Sequence, residues 1–368
     1  MFILNFFMKK KLTFLGIETS CDETAAAVVE ENLDGTGKIH SNVILSQVND
    51  HKKFGGVVPE IAARSHLSNI EYVVDRAIKE SGKSITEINA IAGTAGPGLI
   101  VCLTVGLSIA KSIAAFLSKP FYAINHLEGH ALSPGIKKKL KFPYLLLLIS
   151  GGHSQFLLVN NVNDYKQLGT TIDDALGEAF DKTAKMLGLP YPGGKELEDL
   201  AKNGDEDFCK LPLPIINKGG CNMSFAGLKT AVMKEIKKIE SNKDNRKHIA
   251  ASFQKTINEI LFRKSDVAMK KFREVTNINI NKQVEFVVAG GVAANEKIRN
   301  NLKKLCKINN FTITFPDKIL CGDNAAMIAW AGIQRSKKNL KNDLDFLAKP
   351  KWPLDDNAPF MKGPGLKL

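Results

Sequence analysis

Two stretches of this chain share one plan, and that plan constrains the fold more than any other feature. Thr13-Phe14-Leu15-Gly16-Ile17-Glu18-Thr19-Ser20 is a short apolar run entering a small polar turn, and Ala25-Ala26-Ala27-Val28-Val29 returns from it. Leu145-Leu146-Leu147-Leu148-Ile149-Ser150-Gly151-Gly152-His153 repeats the arrangement, with Gln155-Phe156-Leu157-Leu158-Val159 coming back. Each place predicts a hairpin, and the repetition predicts two related halves. Turns built of Gly, Ser and Thr also let backbone N–H groups face a phosphate. A third run, Phe286-Val287-Val288-Ala289, ends in Gly290-Gly291 and leads through Val292-Ala293-Ala294-Asn295 into a helix whose N-terminus can take a phosphate or hydroxyl. Glycine turns of this kind commonly serve only chain reversal, so none of the three decides function alone.

A chain of 368 residues exceeds one ordinary core, and its 44% hydrophobic content fills two. The expected division is an N-terminal extension at 1–11, a first domain at 12–135, a second at 136–345 with the chain crossing back near 320–345, and a tail at 346–368. Met1 to Phe7 is apolar but precedes Lys9-Lys10-Lys11 instead of following a basic region, which is unlike a signal peptide, and Met8 reads as the true start. No apolar run approaches the roughly 18 residues of a membrane span. Six cysteines without C-x-x-C spacing fit reduced thiols in a cytoplasmic protein. The net charge of +13 would attract a polyanion such as RNA, although Lys and Asn are abundant throughout. Two local basic clusters stand out, Lys137-Lys138-Lys139 with Lys141, and Lys264, Lys270 and Lys271 with Arg273.

Helical spacing is expected after the loop Thr94-Ala95-Gly96-Pro97-Gly98-Leu99, across Ile172–Leu187 until Pro190-Tyr191-Pro192-Gly193-Gly194 breaks it, and from Lys234 to Arg273 as a solvated amphipathic bundle. Lys349 to Leu354 reads as an irregular tail.

The sharpest chemical signal is Asn125-His126-Leu127-Glu128-Gly129-His130. Histidines four apart on a helix stack on one face, where two neutral imidazoles can hold a metal ion. The best third ligand is Asp323, in a glycine turn that opens the alanine-rich run after Cys321-Gly322-Asp323-Asn324. Two imidazoles and a carboxylate suit Fe(II) or Zn(II) and leave positions open for a substrate. A zincin would need a glutamate directly after the first histidine. Here Glu128 falls one position later, about 100° further round the helix, which argues against a metalloprotease.

With those residues identified, the chain resembles the TsaD family, once called Gcp or O-sialoglycoprotein endopeptidase and related to the Kae/OSGEP proteins. The matching segments run in order from Gly16-Ile17-Glu18-Thr19-Ser20-Cys21-Asp22-Glu23-Thr24 through Val58-Pro59-Glu60-Ile61-Ala62, Gly96-Pro97-Gly98-Leu99, the Asn125–His130 segment and Ser150-Gly151-Gly152-His153. They continue through Asp181-Lys182-Thr183-Ala184, Pro192-Gly193-Gly194, Gly227-Leu228-Lys229-Thr230-Ala231, Gly290 to Asn295 and Asp323-Asn324-Ala325-Ala326. Gly322, Ser154 and Ala226 depart from the family's usual Thr, Thr and Ser; none of them is a ligand position.

The resemblance implies an α/β actin-like ATPase (ASKHA) fold, with two RNase-H-like domains and a nucleotide cleft between them. It implies transfer of a threonylcarbamoyl group from threonylcarbamoyl-adenylate to N6 of the adenosine 3′ of the anticodon in tRNAs reading ANN codons, releasing AMP. Carried over by position, His126, His130 and Asp323 match the metal ligands, with Fe(II) expected ahead of Zn(II). Ile149, Ser150, Gly151, Gly152, His153, Asp181, Gly194, Glu198 and Asn295 match positions that hold the adenylate. Asp22 and Glu23 are candidates for the base that takes the N6 proton. The partners implied are tRNA and the TsaB and TsaE proteins, the donor being made by TsaC-type enzymes, with no membrane. A kinase- or chaperone-like ATPase of the same fold is the alternative from another class, because one fold supports many chemistries.

Overall fold

The computed structural model describes residues 11–238 and 243–358; the expected extension at Met1–Phe7 and the Met8 start lie outside the described residues. The chain divides into two compact units. The first takes the residues up to Ser46, Pro59–Lys139 and Asn324–Trp352, and the second takes Gln47–Val58, Leu140–Asp323 and the residues from Pro353 on.

In the first unit β1 (Thr13–Glu18), β2 (Glu23–Glu31) and β3 (Gly37–Ser46) form an antiparallel meander, joined by the short helix α1 (Val48–His51) of the second unit to α2 (Pro59–Ser81). Then follow β4 (Ala90–Gly96), α3 (Ile100–Phe116), β5 (Phe121–Asn125) and α4 (His126–Leu132). The second unit contains β6 (Tyr144–Ile149), β7 (Ser154–Asn161), β8 (Asp164–Thr170), α5 (Leu176–Met186), α6 (Gly193–Ala201), α7 (Ala226–Lys238), α8 (Arg246–Thr276), β9 (Val284–Ala289), α9 (Glu296–Ile308) and β10 (Phe311–Thr314). The helix α10 (Ala325–Ser336) returns to the first unit.

The sheet orders are β3-β2-β1-β4-β5 and β8-β7-β6-β9-β10, so the same topology occurs twice. In each, the founding strand pairs antiparallel with its hairpin partner and parallel with the strand on its other side. The duplicated strand-turn-strand plan in the sequence is therefore a duplicated sheet.

Alternation along β1 divides its two faces. Leu15 and Ile17 enter the cluster formed with Ile70, Val73 and Ala77 of α2 and Leu107 and Ala110 of α3. Phe14 and Gly16 face α10, where the absent side chain of Gly16 lets the helix backbone approach: a Cβ there would lie 2.3 Å from the Ala325 carbonyl oxygen and 2.6 Å from the Ala329 nitrogen. Glu18 continues the Gly16 side of the strand, a placement that matters below.

Two expectations change, and a third gains detail. The Ile172–Leu187 helix starts only at Leu176, because Thr171 bridges Met223 and the Asp173 carboxylate accepts from the backbone nitrogens of Phe225 (2.7 Å) and Ala226 (3.2 Å) at the start of α7. The Lys234–Arg273 bundle is two helices, and α8 is core, not a solvated layer: Ile249, Phe253, Ile257, Ile260, Leu261 and Phe272 are fully buried. The irregular Lys349–Leu354 segment is docked by backbone bonds from Lys349 to Ala95 (2.7 Å) and from Gly98 to Pro350 (3.2 Å).

Candidate active site

The histidine pair sits on α4, a helix started by the Asn125 side chain, which accepts from Leu127 N at 2.9 Å. That cap satisfies one of the N–H groups every helix leaves open at its start. The other end of the Asn125 amide donates to the Trp352 carbonyl at 3.0 Å. Two contacts hold α4 against α10. Gly129, between the histidines, faces Ile328 and Met327, whose side-chain atoms lie 3.0 and 3.2 Å from where a Cβ would stand and would have to give way to one. Glu128 forms a buried ion pair with Arg335 at 2.7 Å. The zincin alternative loses its general base here, since Glu128 points at a guanidinium and serves packing.

Asn324 caps α10 by accepting from Met327 N at 3.0 Å, which fixes the turn carrying Asp323 immediately before it. One ligand atom each from His126, His130 and Asp323 lies within 4.8 Å of the others, the histidines buried and the aspartate half-buried. The imidazole rings are perpendicular, with centroids 4.8 Å apart. Two nitrogen donors and one carboxylate oxygen at that separation form a donor set that can hold a divalent ion.

A residue absent from the sequence-derived site set completes the arrangement. Glu18, fully buried at the end of β1, accepts from Ser20 N at 2.5 Å and from the Thr94 hydroxyl at 2.5 Å, and its Oε2 lies 3.1 Å from His126 Nδ1. Its sequence signals were a glutamate ending an otherwise apolar strand and its place in the family-matching Gly16–Thr24 segment, neither of which assigned it a role.

Asp22 and Glu23 sit at the β1–β2 turn of the same unit. Asp22 is buried and Glu23 half-buried at the first residue of β2. Neither belongs to the three-residue metal group. Burial, with the nearby Asp22 charge, pushes the Cys102 thiol up to about 11.

The positions expected to hold the adenylate all lie in the second unit. Ile149 ends β6, and the Ser150–His153 turn closes with Ser150 N donating to His153 O at 2.8 Å. Gly151 and Gly152 are exposed, and a Cβ on either would meet nothing within 4 Å. Gly177 at the start of α5 packs on Ser150 and Gly151, with Gly177 N donating to Ser150 O at 3.1 Å. Gly290 adopts φ +95° and lies against the Ile149 carbonyl, a conformation that excludes other residues. Asp181 accepts from Gly193 N at 2.8 Å, which ties α5 to the start of α6 beside Gly194. Glu198 accepts from Glu296 N at 2.7 Å, and Asn295 caps α9 while its amide donates to Gln254 at 2.8 Å. Glu198 and Asn295 thus hold α9's N-terminus in place.

Two members of the second basic cluster, Lys264 and Arg273, point away from open solvent. Lys264 is buried, and its ammonium donates to the carbonyls of Lys218 (3.1 Å) and Gly220 (3.3 Å), burial pulling it below the usual lysine range. Arg273 lies over Phe311 and bonds the carbonyls of Asn279, Lys282, Asn309 and Asn310. These two charges close loops, whereas Lys270 and Lys271 are exposed and paired with Asp266 and Glu274. Lys137, Lys138 and Lys139 are also exposed.

A family model described as TsaD, tRNA N6-adenosine threonylcarbamoyltransferase, matches residues 38–330. The chain belongs to the TsaD family. A curated tRNA N6-adenosine threonylcarbamoyltransferase of Pelagibacter ubique (strain HTCC1062) is 56% identical over 361 residues, covering 98% of this chain and 100% of the relative. One from Brucella suis (strain ATCC 23445 / NCTC 10510) is 49% identical over 352 residues, 95% of this chain and 98% of the relative. The protein is accordingly a tRNA-modifying transferase with the TsaD activity. Among solved structures it is similar to T. kodakarensis HypF, with TM-score 0.57 at 14% identity, covering 89% of this chain and 48% of that one. A full-length HypF gives 0.54 at 13%, covering 90% and 47%. These likenesses show the actin-like ATPase fold. Among the described residues no helix is long and apolar enough to cross a membrane.

Proposed function

We propose that this TsaD family member is a cytoplasmic enzyme that transfers the threonylcarbamoyl group of threonylcarbamoyl-adenylate to N6 of the adenosine 3′ of the anticodon in tRNAs reading ANN codons, releasing AMP. The observation that carries this reading is the His126, His130 and Asp323 group, intact and brought within 4.8 Å in a chain of this family. Its donor set accepts Fe(II), our first choice, or Zn(II). A divalent ion held there supplies Lewis-acid polarisation of the donor.

The chain's own residues do the positioning. The donor is a mixed anhydride with a good leaving group, so orientation and charge stabilisation are the main demands. The Ser150–His153 turn offers backbone N–H groups to the phosphate, with no side chain at Gly151 or Gly152 to block approach. Asp181, Gly194, Glu198 and Asn295 hold the nucleoside end. The N6 nitrogen sheds a proton as it attacks, and a carboxylate of the β1–β2 turn, Asp22 or Glu23, takes it. TsaB and TsaE act as partner proteins in the reaction.

The test is nucleoside analysis of tRNA from cells depleted of the protein and complemented with wild type or Asp323→Ala. Loss of threonylcarbamoyladenosine, restored by wild type alone, is the expected result. Full restoration by Asp323→Ala in cells lacking the wild-type copy would remove the carboxylate from the site.

A further inference from the structure

We propose that Glu18 is a positioning residue that fixes the tautomer and ring orientation of His126, so that this histidine presents Nε2 to a metal ion. The inference rests on the reading of His126 as a ligand and deepens it.

The argument starts from hydrogen-bond inventory. An imidazole that binds a metal through one nitrogen carries its proton on the other, and the partner of that second nitrogen decides which is which. His126 Nδ1 has two oxygen neighbours, Glu18 Oε2 at 3.1 Å and Ser20 Oγ at 3.1 Å. A hydroxyl either donates or accepts, so Ser20 alone would permit both tautomers. Glu18 removes that freedom. Its Oε1 already accepts from Ser20 N, and its Oε2 accepts from the Thr94 hydroxyl on the adjacent strand β4. Both oxygens act as acceptors, the pattern of a carboxylate. A lone pair on Nδ1 facing that oxygen would be repelled, whereas an Nδ1–H donates to it. The proton therefore belongs on Nδ1 and the lone pair on Nε2.

Local structure explains why this carboxylate is so well held. It leaves the end of β1 on the face that Gly16 opens towards α10, and Thr94 reaches it from the parallel neighbour of that strand. Burying a carboxylate is costly unless its oxygens are hydrogen-bonded. Here the donors come from three separate elements, β4, the β1–β2 turn and α4, which fixes the ring in direction as well as tautomer.

The test reads the ring directly. In the metal-free wild-type protein labelled with 15N-histidine, two-bond 1H–15N correlations give the His126 tautomer, assigned by its loss in His126→Gln. The Nδ1–H form is expected, and an Nε2–H form overturns the proposal whatever any variant does. In Glu18→Gln, chelator competition should show Zn(II) and Fe(II) affinity reduced about 10- to 100-fold, the usual effect of removing a ligand's outer partner. Unchanged affinity in a variant that melts like the wild type overturns it as well. Ser20→Ala should keep the Nδ1–H form, and a switch of tautomer there would transfer the role to Ser20. Wild-type protein that binds neither ion would sink the metal reading itself, while the tautomer of the metal-free ring would still decide the role of Glu18.

Discussion

Gly16→Ala is the most informative single substitution, because the structure fixes how far it must move things. The added Cβ would lie 2.3 Å from the Ala325 oxygen, against the 3.0–3.4 Å at which real Cβ contacts begin, so β1 and α10 must separate by about 0.7 to 1.1 Å. The obstacles are helix backbone, which no side-chain rotation relieves. Overpacking of this kind costs about 1–3 kcal/mol. The functional effect is larger than that suggests. His126 is tied to β1 through Glu18 and, through α4, to α10, whose cap Asp323 precedes, so the displacement pulls on the His126 end of the site. A well-formed metal site keeps its ligand distances within about 0.2 Å of their ideal values. Metal affinity should therefore drop by about ten-fold or more, with a modest loss in denaturant midpoint. Chelator competition and a urea melt on the same sample measure both. Gly322→Thr is the control, since a Cβ there meets nothing within 4 Å although it adjoins Asp323, and it should bind metal normally. Wild-type affinity in Gly16→Ala would refute the claim that strand-to-helix spacing sets the site.

Three further outcomes are expected. Gly151→Val, at an ordinary φ in open space, should fold normally but weaken AMP binding in calorimetry, whereas Gly290→Val, strained at φ +95°, should lose stability first; unchanged AMP affinity in Gly151→Val would make that turn a mere chain reversal. Reversing Lys137, Lys138 and Lys139 to Glu should lower tRNA affinity and flatten its log–log salt dependence by about 0.7 to 0.9 per lost phosphate contact, with AMP binding unaffected; an identical slope would mark the cluster as solvated surface. Burial pushes the Cys306 thiol up to about 12 and, with Asp22, the Cys102 thiol to about 11, so both stay protonated when folded while the unfolded chain ionises near 9. Stability from this source is complete below pH 9 and lost as pH rises to 11 or 12, and iodoacetamide at pH 8 should label both only after unfolding; rapid native labelling would contradict the burial.

What the sequence disclosed was what lies close along the chain. Each hairpin is a contiguous apolar run with its turn, and each reads directly. The His126–His130 pair is legible because a helical repeat brings i and i+4 together, and Asp323 because a glycine turn precedes an alanine-rich run. What stayed hidden depends on partners far away in sequence. Glu18 looks like a strand terminus until His126 lies beside it. Glu128 invites a catalytic reading until Arg335 is seen to hold it. Lys264 counts as surface charge until two carbonyls from the loop between α6 and α7 are found around its ammonium. The Ile172–Leu187 periodicity ran past the helix start because Asp173 is recruited to cap α7.

The tip of β1 has a consequence for how this protein can vary. Gly16 admits a helix, Glu18 faces a histidine, Thr19 bonds the Cys102 carbonyl at 2.9 Å and accepts from Gly106 N on α3, and Ser20 closes the turn. Four positions within one short stretch thus answer to three different helices, α10, α4 and α3, and no single exchange can be compensated by adjusting one neighbour. A saturation scan should find this short stretch as intolerant as the ligands themselves, although the reason at each position would be a different one.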